Sequence, residues 1–256
     1  MTCAPDILVL AGGLGTRLRA AVPDAPKPMA PVGGRPFLEY LLDWWIGQGA
    51  GGFTLSVGYM AGCVKAHFGG RYRGVPVRYA EETEPLGTGG ALALALAEGA
   101  VTTPSFVLLN GDTLFEASLA HMRREAARPG RPVVMAVKPH VAVGGGGARY
   151  GGVVVDGQGM VSAFSASPSA APGDAGAAGD AGDGAPGFVN AGCYLMDREA
   201  VAGEMVGFPQ KFSLESAFLP SLAQRGLLGA SVQDGAFIDI GVPEDYRHFC
   251  ACRKGR

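Results

Sequence analysis

The fold is decided by the stretch Ile7-Leu-Val-Leu-Ala-Gly-Gly-Leu-Gly-Thr-Arg-Leu18, in which a short apolar run leads directly into closely spaced glycines. The apolar run predicts a buried strand over Ile7–Leu10. Glycines that follow a first strand let the backbone turn sharply and bring amide N–H groups close to a phosphate or a base. The spacing is not a dinucleotide-binding fingerprint, because its third glycine would fall at Leu18, and the sequence has no Walker-type Gly-Lys-Ser/Thr.

Two cations accompany this glycine turn. Thr16-Arg17 extends it, and Pro26-Lys-Pro-Met29 follows nine residues after the arginine. Arginine offers a fork of donors that matches phosphate geometry, and lysine offers a compact charge. Two cations on a proline-stiffened loop therefore predict a triphosphate site.

Outside this region, short apolar runs alternate with longer helical patterns, which predicts a largely parallel sheet with helices on both faces. The clearest helix is Pro36–Ile46, because Phe37, Leu41 and Trp45 recur at helical spacing. Further helices are predicted at Gly89–Glu98, Ser118–Ala126, Leu214–Gln224 and Pro243–Cys252. Strands are predicted at Ile7–Leu10, Phe53–Val57, Val75–Ala80, Phe106–Asn110, Val133–Val137, Gly152–Val155, Val189–Met196 and Phe237–Ile240.

One segment differs from the rest in composition. Ser169–Gly187 contains only Gly, Ala, Pro, Asp and Ser, so it has almost nothing to bury. We expect a flexible surface insertion here. Patterned sequence resumes at Phe188, so the 256 residues are predicted to form a single domain.

Composition excludes several classes of function. The net charge is −2 and charged residues make up 17% of the chain, so no broad basic field favours nucleic acid or an anionic membrane. No basic leader precedes Ile7, and no apolar run approaches the roughly 18 residues of a membrane span. Five scattered cysteines are typical of reduced thiols, and we expect a cytoplasmic protein. Self-association into a homo-oligomer is left open.

Two aspartates follow predicted strands. Asp112 comes directly after Phe106–Asn110, and Asp239 lies near the end of Phe237–Ile240. Open α/β sheets bind ligands at the carboxyl edge of their strands. Two carboxylates that meet there would hold Mg²⁺, with phosphate oxygens and water as the remaining ligands.

At this point the chain resembles the sugar-1-phosphate nucleotidyltransferases. The resemblance rests on motifs that occur in family order from residue 7 to about 247: Leu10-Ala-Gly-Gly-Leu-Gly-Thr-Arg-Leu18, Pro26-Lys-Pro-Met29, Gly34-Arg-Pro-Phe-Leu-Glu39, Glu84-Pro-Leu-Gly-Thr88, Asn110-Gly-Asp112, Arg149-Tyr-Gly151, Asn190-Ala-Gly192 and Asp239-Ile-Gly241. Within that family it is most similar to D-glycero-D-manno-heptose 1-phosphate and mannose-1-phosphate guanylyltransferases, through Pro26-Lys-Pro-Met-Ala-Pro-Val32, Phe212-Ser-Leu-Glu215 and Phe237-Ile-Asp-Ile-Gly-Val-Pro-Glu-Asp-Tyr246. The resemblance implies a Rossmann-like α/β domain of the nucleotide-diphospho-sugar transferase type, with a mostly parallel mixed sheet flanked by helices.

The resemblance also implies roles for individual residues. It assigns Asp112 and Asp239 to Mg²⁺, and Arg17, Lys27 and Asp112 to catalysis. Lys27 would touch the α-phosphate and the sugar phosphate, and the other expected sugar-phosphate contacts are Asn110, Tyr150, Gly151 and Asn190. The nucleotide is expected to contact Leu10, Ala11, Gly12, Gly13, Gly15, Thr16, Arg17, Glu82, Glu84, Gly87 and Thr88.

The implied reaction is in-line attack by a sugar-phosphate oxygen on the α-phosphorus of a nucleoside triphosphate. This nucleophile is already anionic, so no general base is required, and catalysis depends on positioning and charge neutralisation. Glu81, Glu82 and Glu84 cluster where the family contacts the base. A carboxylate accepts hydrogen bonds, and guanine presents adjacent N1–H and N2–H donors. Glu82, with Glu84 second, is therefore the predicted guanine acceptor.

The sequence departs from its family in one place. Many relatives carry Phe-x-Glu-Lys-Pro, where the Glu and Lys meet the sugar and its phosphate, but this chain has Phe164-Ser-Ala-Ser-Pro168. No lysine occurs between Lys138 and Lys211, so Lys27, Arg149 or Lys211 would have to contact the sugar phosphate, or affinity is weak.

Two alternatives to guanylyl transfer stay open. The first is adenylyl, cytidylyl, uridylyl or thymidylyl transfer to another sugar 1-phosphate, including a hexose phosphate. The second is a non-catalytic sugar-nucleotide-binding regulatory protein, which only the missing Glu-Lys pair favours.

Overall fold

The protein is described from a computed structural model, which describes residues 3–13, 15, 18, 22–140, 152–164, 187–241 and 243–253. The strands are β1 Asp6–Leu10, β2 Pro31–Val32, β3 Arg35–Pro36, β4 Gly52–Val57, β5 Arg71–Tyr72, β6 Val75–Glu81, β7 Ser105–Asn110, β8 Thr113–Phe115, β9 Val133–Pro139, β10 Gly152–Val155, β11 Val161–Phe164, β12 Phe188–Asp197, β13 Leu228–Val232 and β14 Phe237–Asp239. The helices are α1 Phe37–Gly47, α2 Ala61–Phe68, α3 Gly87–Ala97, α4 Leu119–Ala126, α5 Arg198–Glu204, α6 Leu219–Gln224 and α7 Pro243–Arg253. A 3₁₀ turn spans Lys27–Met29, and a π-helical segment spans Leu214–Phe218.

Ten of the described strands form one large mixed sheet, while β2 pairs with β3 and β8 pairs with β14 outside it. Its order is β11-β10-β12-β7-β1-β4-β6-β5, with β9 beside β12 and β13 beside β9. The strands β7, β1, β4 and β6 are parallel, as are β9 and β13. β12 runs antiparallel to β7 and β9. A parallel centre in a mixed sheet flanked by helices confirms the predicted fold class.

The two faces of the sheet carry separate apolar cores. In β1, Ile7 and Val9 belong to a core shared with α1, α2, α4 and α7, whereas Leu8 belongs to a core shared with α3, α5 and α6. Alternate residues of a strand point to opposite faces, so β1 is buried on both sides. This is why its sequence is a continuous apolar run.

The strand register gathers the functional motifs at one edge. Leu10 at the end of β1 lies beside Asn110 of β7 on one side and Ser56 of β4 on the other. Val57 of β4 lies beside Glu81, the last residue of β6. The glycine turn, Asn110-Gly-Asp112 and Glu82 therefore leave the sheet at the same edge.

Several elements differ from the sequence-based expectation. The helix predicted over Leu214–Gln224 is divided into the π-helical segment and α6. α2, α5 and β13 were not predicted, and α2 buries only Ala61, Val64 and Phe68, too few residues for a clear periodicity. Of the insertion predicted at Ser169–Gly187, residues 169–186 lie outside the described residues.

In the described part of the chain, no helix combines the length and apolar character that a bilayer crossing needs. All five cysteines lie among the described residues, and none of them forms a disulfide.

Candidate active site

A cavity of about 620 Å³ opens at the edge where β1, β4, β6 and β7 end. Ten residues of the predicted site line it: Leu10, Gly12, Gly13, Gly15, Lys27, Glu82, Gly87, Thr88, Asn110 and Asp112. Glu215, to which the sequence assigned no role, also lines it. A second cavity of about 710 Å³ lies near Thr103, Arg123 and Asp197 and contains none of the predicted residues.

The glycine turn is shaped by close contacts with other parts of the site. A Cβ atom at Gly12 would lie 2.6 Å from Oε1 of Glu82, so a larger residue would displace that carboxylate. Gly15 has a φ of +57°, and a Cβ there would lie 2.9 Å from Cβ of Lys27. Real Cβ atoms do not approach so closely, so both positions need glycine. Ala11 is buried behind the turn, where its N–H donates to the carbonyl of Ser56 at 2.8 Å.

Lys27 is held in a rigid turn and pairs with Asp112. Prolines flank it on both sides within the 3₁₀ turn and its cap. Its Nζ donates to Oδ2 of Asp112 in an ion pair between residues 85 positions apart. The other oxygen of Asp112 accepts the Thr113 hydroxyl at 3.1 Å.

Asp239 is brought to the same point by a small antiparallel pair. β14 pairs with β8, so that Asp239 lies beside Thr113. The N–H of Gly241 donates to Oδ1 of Asp239 at 2.6 Å. A Cβ atom at Gly241 would lie 2.7 Å from that oxygen and 3.1 Å from Nζ of Lys27. The ammonium of Lys27 and the carboxylates of Asp112 and Asp239 therefore lie close together, with Lys27 and Asp112 lining the cavity and Asp239 next to them but not among its lining residues.

The pKa values of the two carboxyls move in opposite directions. Burial acts to raise the pKa of Asp112, but the charge and hydrogen bond of Lys27, with the Thr113 hydroxyl, bring it below its ordinary value. Burial and the negative charge of Asp112 raise the pKa of Asp239 to about 6, and Lys27 and the Gly241 N–H oppose them only in part. Among the described residues, Lys27 compensates these two partly buried carboxylates only in part, so this point favours a further cation.

The residues present fit a hard divalent cation that takes most of its ligands from substrate and water. No group of three or more His, Cys, Asp or Glu side chains gathers in a metal-binding arrangement within the described ranges. Mg²⁺ is commonly held by one or two carboxylates together with substrate phosphates and water. Asp112 and Asp239 match that donor set.

Of the two predicted guanine acceptors, the cavity includes only Glu82. Its Oε2 accepts the N–H of Leu86 at 3.0 Å, and its Oε1 accepts the Ser56 hydroxyl at 3.3 Å. These bonds fix the carboxylate beside the glycine turn and leave further lone pairs for a ligand. Glu84 is exposed and does not line the cavity.

Two asparagines lie on the β7 and β12 side of the site. Asn190 is held within the chain, because its Oδ1 accepts the N–H of Gly192 at 3.0 Å and its Nδ2 donates to the Tyr194 hydroxyl at 2.8 Å. Asn190 does not line the cavity, whereas Asn110 does. Oδ1 of Asn110 is buried and has no hydrogen-bond partner among the described residues. Gly192 packs against Asn110, since a Cβ there would lie 3.0 Å from its Nδ2.

Lys27, Arg149 and Lys211 were the predicted replacements for the lysine that the family motif lacks in this chain. Among the lysines that the structure describes, Lys27 alone lines the cavity. Lys138 is buried against Asp234 at 2.5 Å, and Lys211 is exposed. Arg149 lies outside the described residues, as do the predicted site residues Thr16, Arg17, Tyr150 and Gly151.

Glu215 lies in the first turn of the π-helical segment. Its Oε2 accepts hydroxyl hydrogen bonds from Thr88 at 2.7 Å and from Ser213 at 3.1 Å. Glu215 belongs to the Phe212-Ser-Leu-Glu215 motif, which marked it in the sequence. Its role was missed because the other site residues were found by their position at strand ends, whereas Glu215 lies in a helix.

Known proteins resemble this chain over nearly its whole length. Residues 7–251 match the family model described as nucleotidyl transferase. The chain is 35% identical to the D-glycero-alpha-D-manno-heptose 1-phosphate guanylyltransferase of Aneurinibacillus thermoaerophilus, over 94% of this chain and 95% of the relative. It is 34% identical to the protein of the same name from Campylobacter jejuni, over 94% of this chain and 97% of the relative.

Among solved structures, it is similar to HddC from Yersinia pseudotuberculosis complexed with GMP-PN. The TM-score is 0.77 at 29% sequence identity, over 97% of this chain and 99% of that chain. The family match over nearly the whole chain and the two relatives above 30% identity lead to one conclusion: this chain belongs to the nucleotidyl transferase family and is a nucleotidyltransferase.

Proposed function

We propose that this enzyme transfers GMP from GTP to a sugar 1-phosphate and releases pyrophosphate, with D-glycero-D-manno-heptose 1-phosphate as the preferred acceptor. The observation that carries the proposal is the convergence of Lys27, Asp112 and Asp239, of which Lys27 and Asp112 line the cavity. The choice of guanine and heptose is supported by the relatives named heptose 1-phosphate guanylyltransferase.

In this proposal Lys27 lies between the two reacting phosphates. Its ammonium neutralises charge on the α-phosphate and on the incoming sugar phosphate, so that two anions approach each other at a lower free-energy cost. The flanking prolines and the ion pair with Asp112 hold that charge in place before substrate arrives. The attacking oxygen is already anionic, so no side chain has to remove a proton.

Asp112 and Asp239 are the proposed ligands of Mg²⁺. The metal, when bound, supplies positive charge to the triphosphate and to the departing pyrophosphate. The raised pKa of Asp239 supports this assignment, because Lys27 compensates the charge of the carboxyl pair only in part. Arg17 is the proposed second cation for the pyrophosphate, on the strength of its motif.

The glycine turn and the first turn of α3 form the proposed nucleotide site. Backbone N–H groups of Gly12, Gly13 and Gly15 would meet the phosphates, as glycine-rich turns do elsewhere. Gly87 and Thr88 open α3 at the cavity wall, and Glu82 is the proposed acceptor for guanine N1–H and N2–H.

The cytoplasm is the proposed compartment. The five unpaired cysteines support a reducing environment.

The test is a grid of five nucleoside triphosphates against several sugar 1-phosphates, with Mg²⁺ and added pyrophosphatase, and phosphate release as the readout. We expect GTP with heptose 1-phosphate to give the highest kcat/KM, with mannose 1-phosphate as the nearest competitor. Activity with another triphosphate would move the assignment to that base. Binding of sugar nucleotides without phosphate release from any pair would favour the non-catalytic regulatory alternative.

A further inference from the structure

Glu215 is held in place by two hydroxyl groups whose orientation is fixed. Thr88 Oγ1 accepts the N–H of Leu214 at 2.8 Å and donates its own proton to Oε2 of Glu215. Ser213 Oγ accepts the N–H of Ser216 at 3.2 Å and also donates to Oε2. Each hydroxyl oxygen already receives a backbone hydrogen bond, so each proton points to the carboxylate. Oε2 is therefore committed to the protein.

The second oxygen of Glu215 is not committed in this way. Oε1 makes no hydrogen bond within the described part of the chain, and Glu215 lines the cavity. The other two carboxylates of the cavity wall are engaged at both oxygens, Glu82 by Ser56 and Leu86 and Asp112 by Lys27 and Thr113. Oε1 of Glu215 is thus a positioned acceptor without a donor.

The chemistry of the substrates limits what this oxygen can contact. Phosphate groups offer only acceptors and negative charge, so a carboxylate repels them. Guanine, the ribose hydroxyls of the triphosphate and the hydroxyls of the sugar 1-phosphate are the donors in the reaction, and Glu82, beside the glycine turn, is the proposed acceptor for guanine. A hydroxyl of the ribose or of the sugar 1-phosphate remains as the donor for Glu215, and the position of Glu215 in the cavity decides between them.

Glu215 lies between the two ends of the cavity, because Thr88 belongs to the proposed nucleotide site and Tyr194 lies on the β12 side. Tyr194 lies in β12, and its pKa is raised well above the ordinary value, first by burial and then by the charge of Glu215. Tyr194 accepts a hydrogen bond from Asn190, and Gly192 of the same strand packs against Asn110, the cavity-lining residue that the resemblance assigns to the sugar phosphate. Glu215 is therefore coupled to the β12 side of the sheet and has no described hydrogen bond to Glu82.

We propose that Oε1 of Glu215 accepts a hydrogen bond from a ring hydroxyl of the sugar 1-phosphate and determines sugar selectivity. This inference rests on the proposed function. It supplies the sugar-binding carboxylate that Phe164-Ser-Ala-Ser-Pro168 lacks.

The test uses Glu215→Gln, which changes mainly the atom that faces the cavity. The amide oxygen can still accept from Thr88 and Ser213, so the NH₂ group is directed to the former Oε1 position. We expect the KM for the sugar 1-phosphate to rise roughly ten- to a hundredfold, the range for a lost hydrogen bond to a charged group. The KM for GTP should change less than about threefold. Glu98→Gln, which removes an exposed carboxylate beyond the other end of α3, is the matched control and should behave like the parent.

A series of monodeoxy sugar 1-phosphates distinguishes contact from a general structural effect. The analogue that lacks the contacted hydroxyl should be a poor substrate for the parent and should lose little more in Glu215→Gln. If every analogue loses equally in both proteins, or if the KM values for GTP and sugar phosphate rise together, Glu215 does not contact the sugar.

Calorimetric binding of GDP and of the GDP-sugar gives a readout that needs no turnover. We expect the sugar to strengthen binding of the parent and to contribute roughly tenfold less in Glu215→Gln. An equal sugar contribution in both proteins would overturn the inference, even for an active enzyme. A parent without activity on any pair would instead overturn the proposed function.

Discussion

At the scale of single residues, the site is governed by an imbalance of charge. In the described part of the chain, the ammonium of Lys27 faces two carboxylates, and the pKa of Asp239 rises to about 6 as a result of burial and of the charge of Asp112. An arrangement that places two acids against one base without a further cation is unfavourable for folding alone. Its retention in a cavity is understandable if a metal and phosphates complete it.

The first prediction concerns these two aspartates. Asp112→Asn and Asp239→Asn should each lower kcat/KM by about a hundredfold or more, because each removes an anionic ligand from the proposed Mg²⁺ site. Steady-state kinetics at several Mg²⁺ concentrations measures the loss, and circular dichroism verifies the fold. Asp24→Asn, an exposed aspartate in the same loop as Lys27, is the control. Parental activity in either folded variant would remove that aspartate from the metal site.

The second prediction concerns the choice of base. Glu82→Gln should lower kcat/KM for GTP about ten- to a hundredfold, because a charged acceptor for guanine is lost. Inosine triphosphate, which keeps N1–H but lacks the 2-amino group, should be a poor substrate for the parent and suffer less additional loss in the variant. Glu81→Gln provides the same change of charge at an exposed neighbour.

Unchanged preference for GTP in Glu82→Gln would require the same experiment on Glu84. If both variants discriminate between bases like the parent, a carboxylate does not select guanine.

At the scale of elements, α7 contacts the segment of residues 27–31, which carries the lysine of the site. Its Tyr246 hydroxyl donates to the carbonyl of Pro31 at 2.6 Å, four residues after Lys27. Phe249 packs edge-on against Phe37 and Tyr40 of α1. The helix that follows Asp239 thus holds the loop that carries Lys27.

The third prediction tests this contact. Tyr246→Phe should destabilise the protein by about 1 kcal/mol, the typical net value of one hydrogen bond. For a chain of this size the melting temperature should fall by roughly 2–4 °C. Chemical denaturation measures the change, with Arg247→Ala on the exposed side of α7 as a control expected to stay within about 0.5 kcal/mol. An unchanged midpoint in Tyr246→Phe would show that this bond does not anchor the loop.

Prediction from sequence worked best for elements with a strong local pattern. β1, β4 and β7 are buried on both faces, so β1 and β7 contain the apolar runs at residues 7–10 and 106–109, and β4 carries only small buried polar residues between its apolar ones. β13 was missed because Leu-Gly-Ala-Ser-Val contains small residues whose burial depends on its neighbours β9 and α4. The π-helical segment was not foreseen either, since periodicity does not distinguish it from an α-helix.

The location of a site residue could be predicted from the sequence when that residue directly follows a strand of the parallel centre. Asp112 and Glu82 follow strands of the parallel centre, so their arrival at one edge could be inferred. Glu215 reaches the cavity through hydrogen bonds to Thr88, 127 positions away, and no local pattern encodes that contact. The commitment of Asn190 to Gly192 and Tyr194 likewise depends on the irregularity in β12 between Asn190 and Tyr194.

At the scale of the whole molecule, the fourth prediction concerns the segment Ser169–Gly187. Replacement of residues 170–186 by a short Gly-Ser linker should leave the melting temperature nearly unchanged, because the segment offers almost no apolar side chain. Changing the length of a surface connection alters stability only through a logarithmic closure term. Differential scanning calorimetry measures the change, and a fall of more than about 5 °C, on the order of 2 kcal/mol at this size, would show that the segment is packed.

The hydrogen bond from Tyr246 to Pro31 spans 215 positions, and this has a consequence for biosynthesis. A ribosome releases the N-terminal glycine turn first, and domains form as their parts emerge. Asp239 and α7 emerge after the strands of the parallel centre, so a nascent chain can build β1, β4 and β7 before both carboxylates are present. Under the proposed function, a chain that stops upstream of Phe237 would form the parallel strands without the second carboxylate of the proposed Mg²⁺ site.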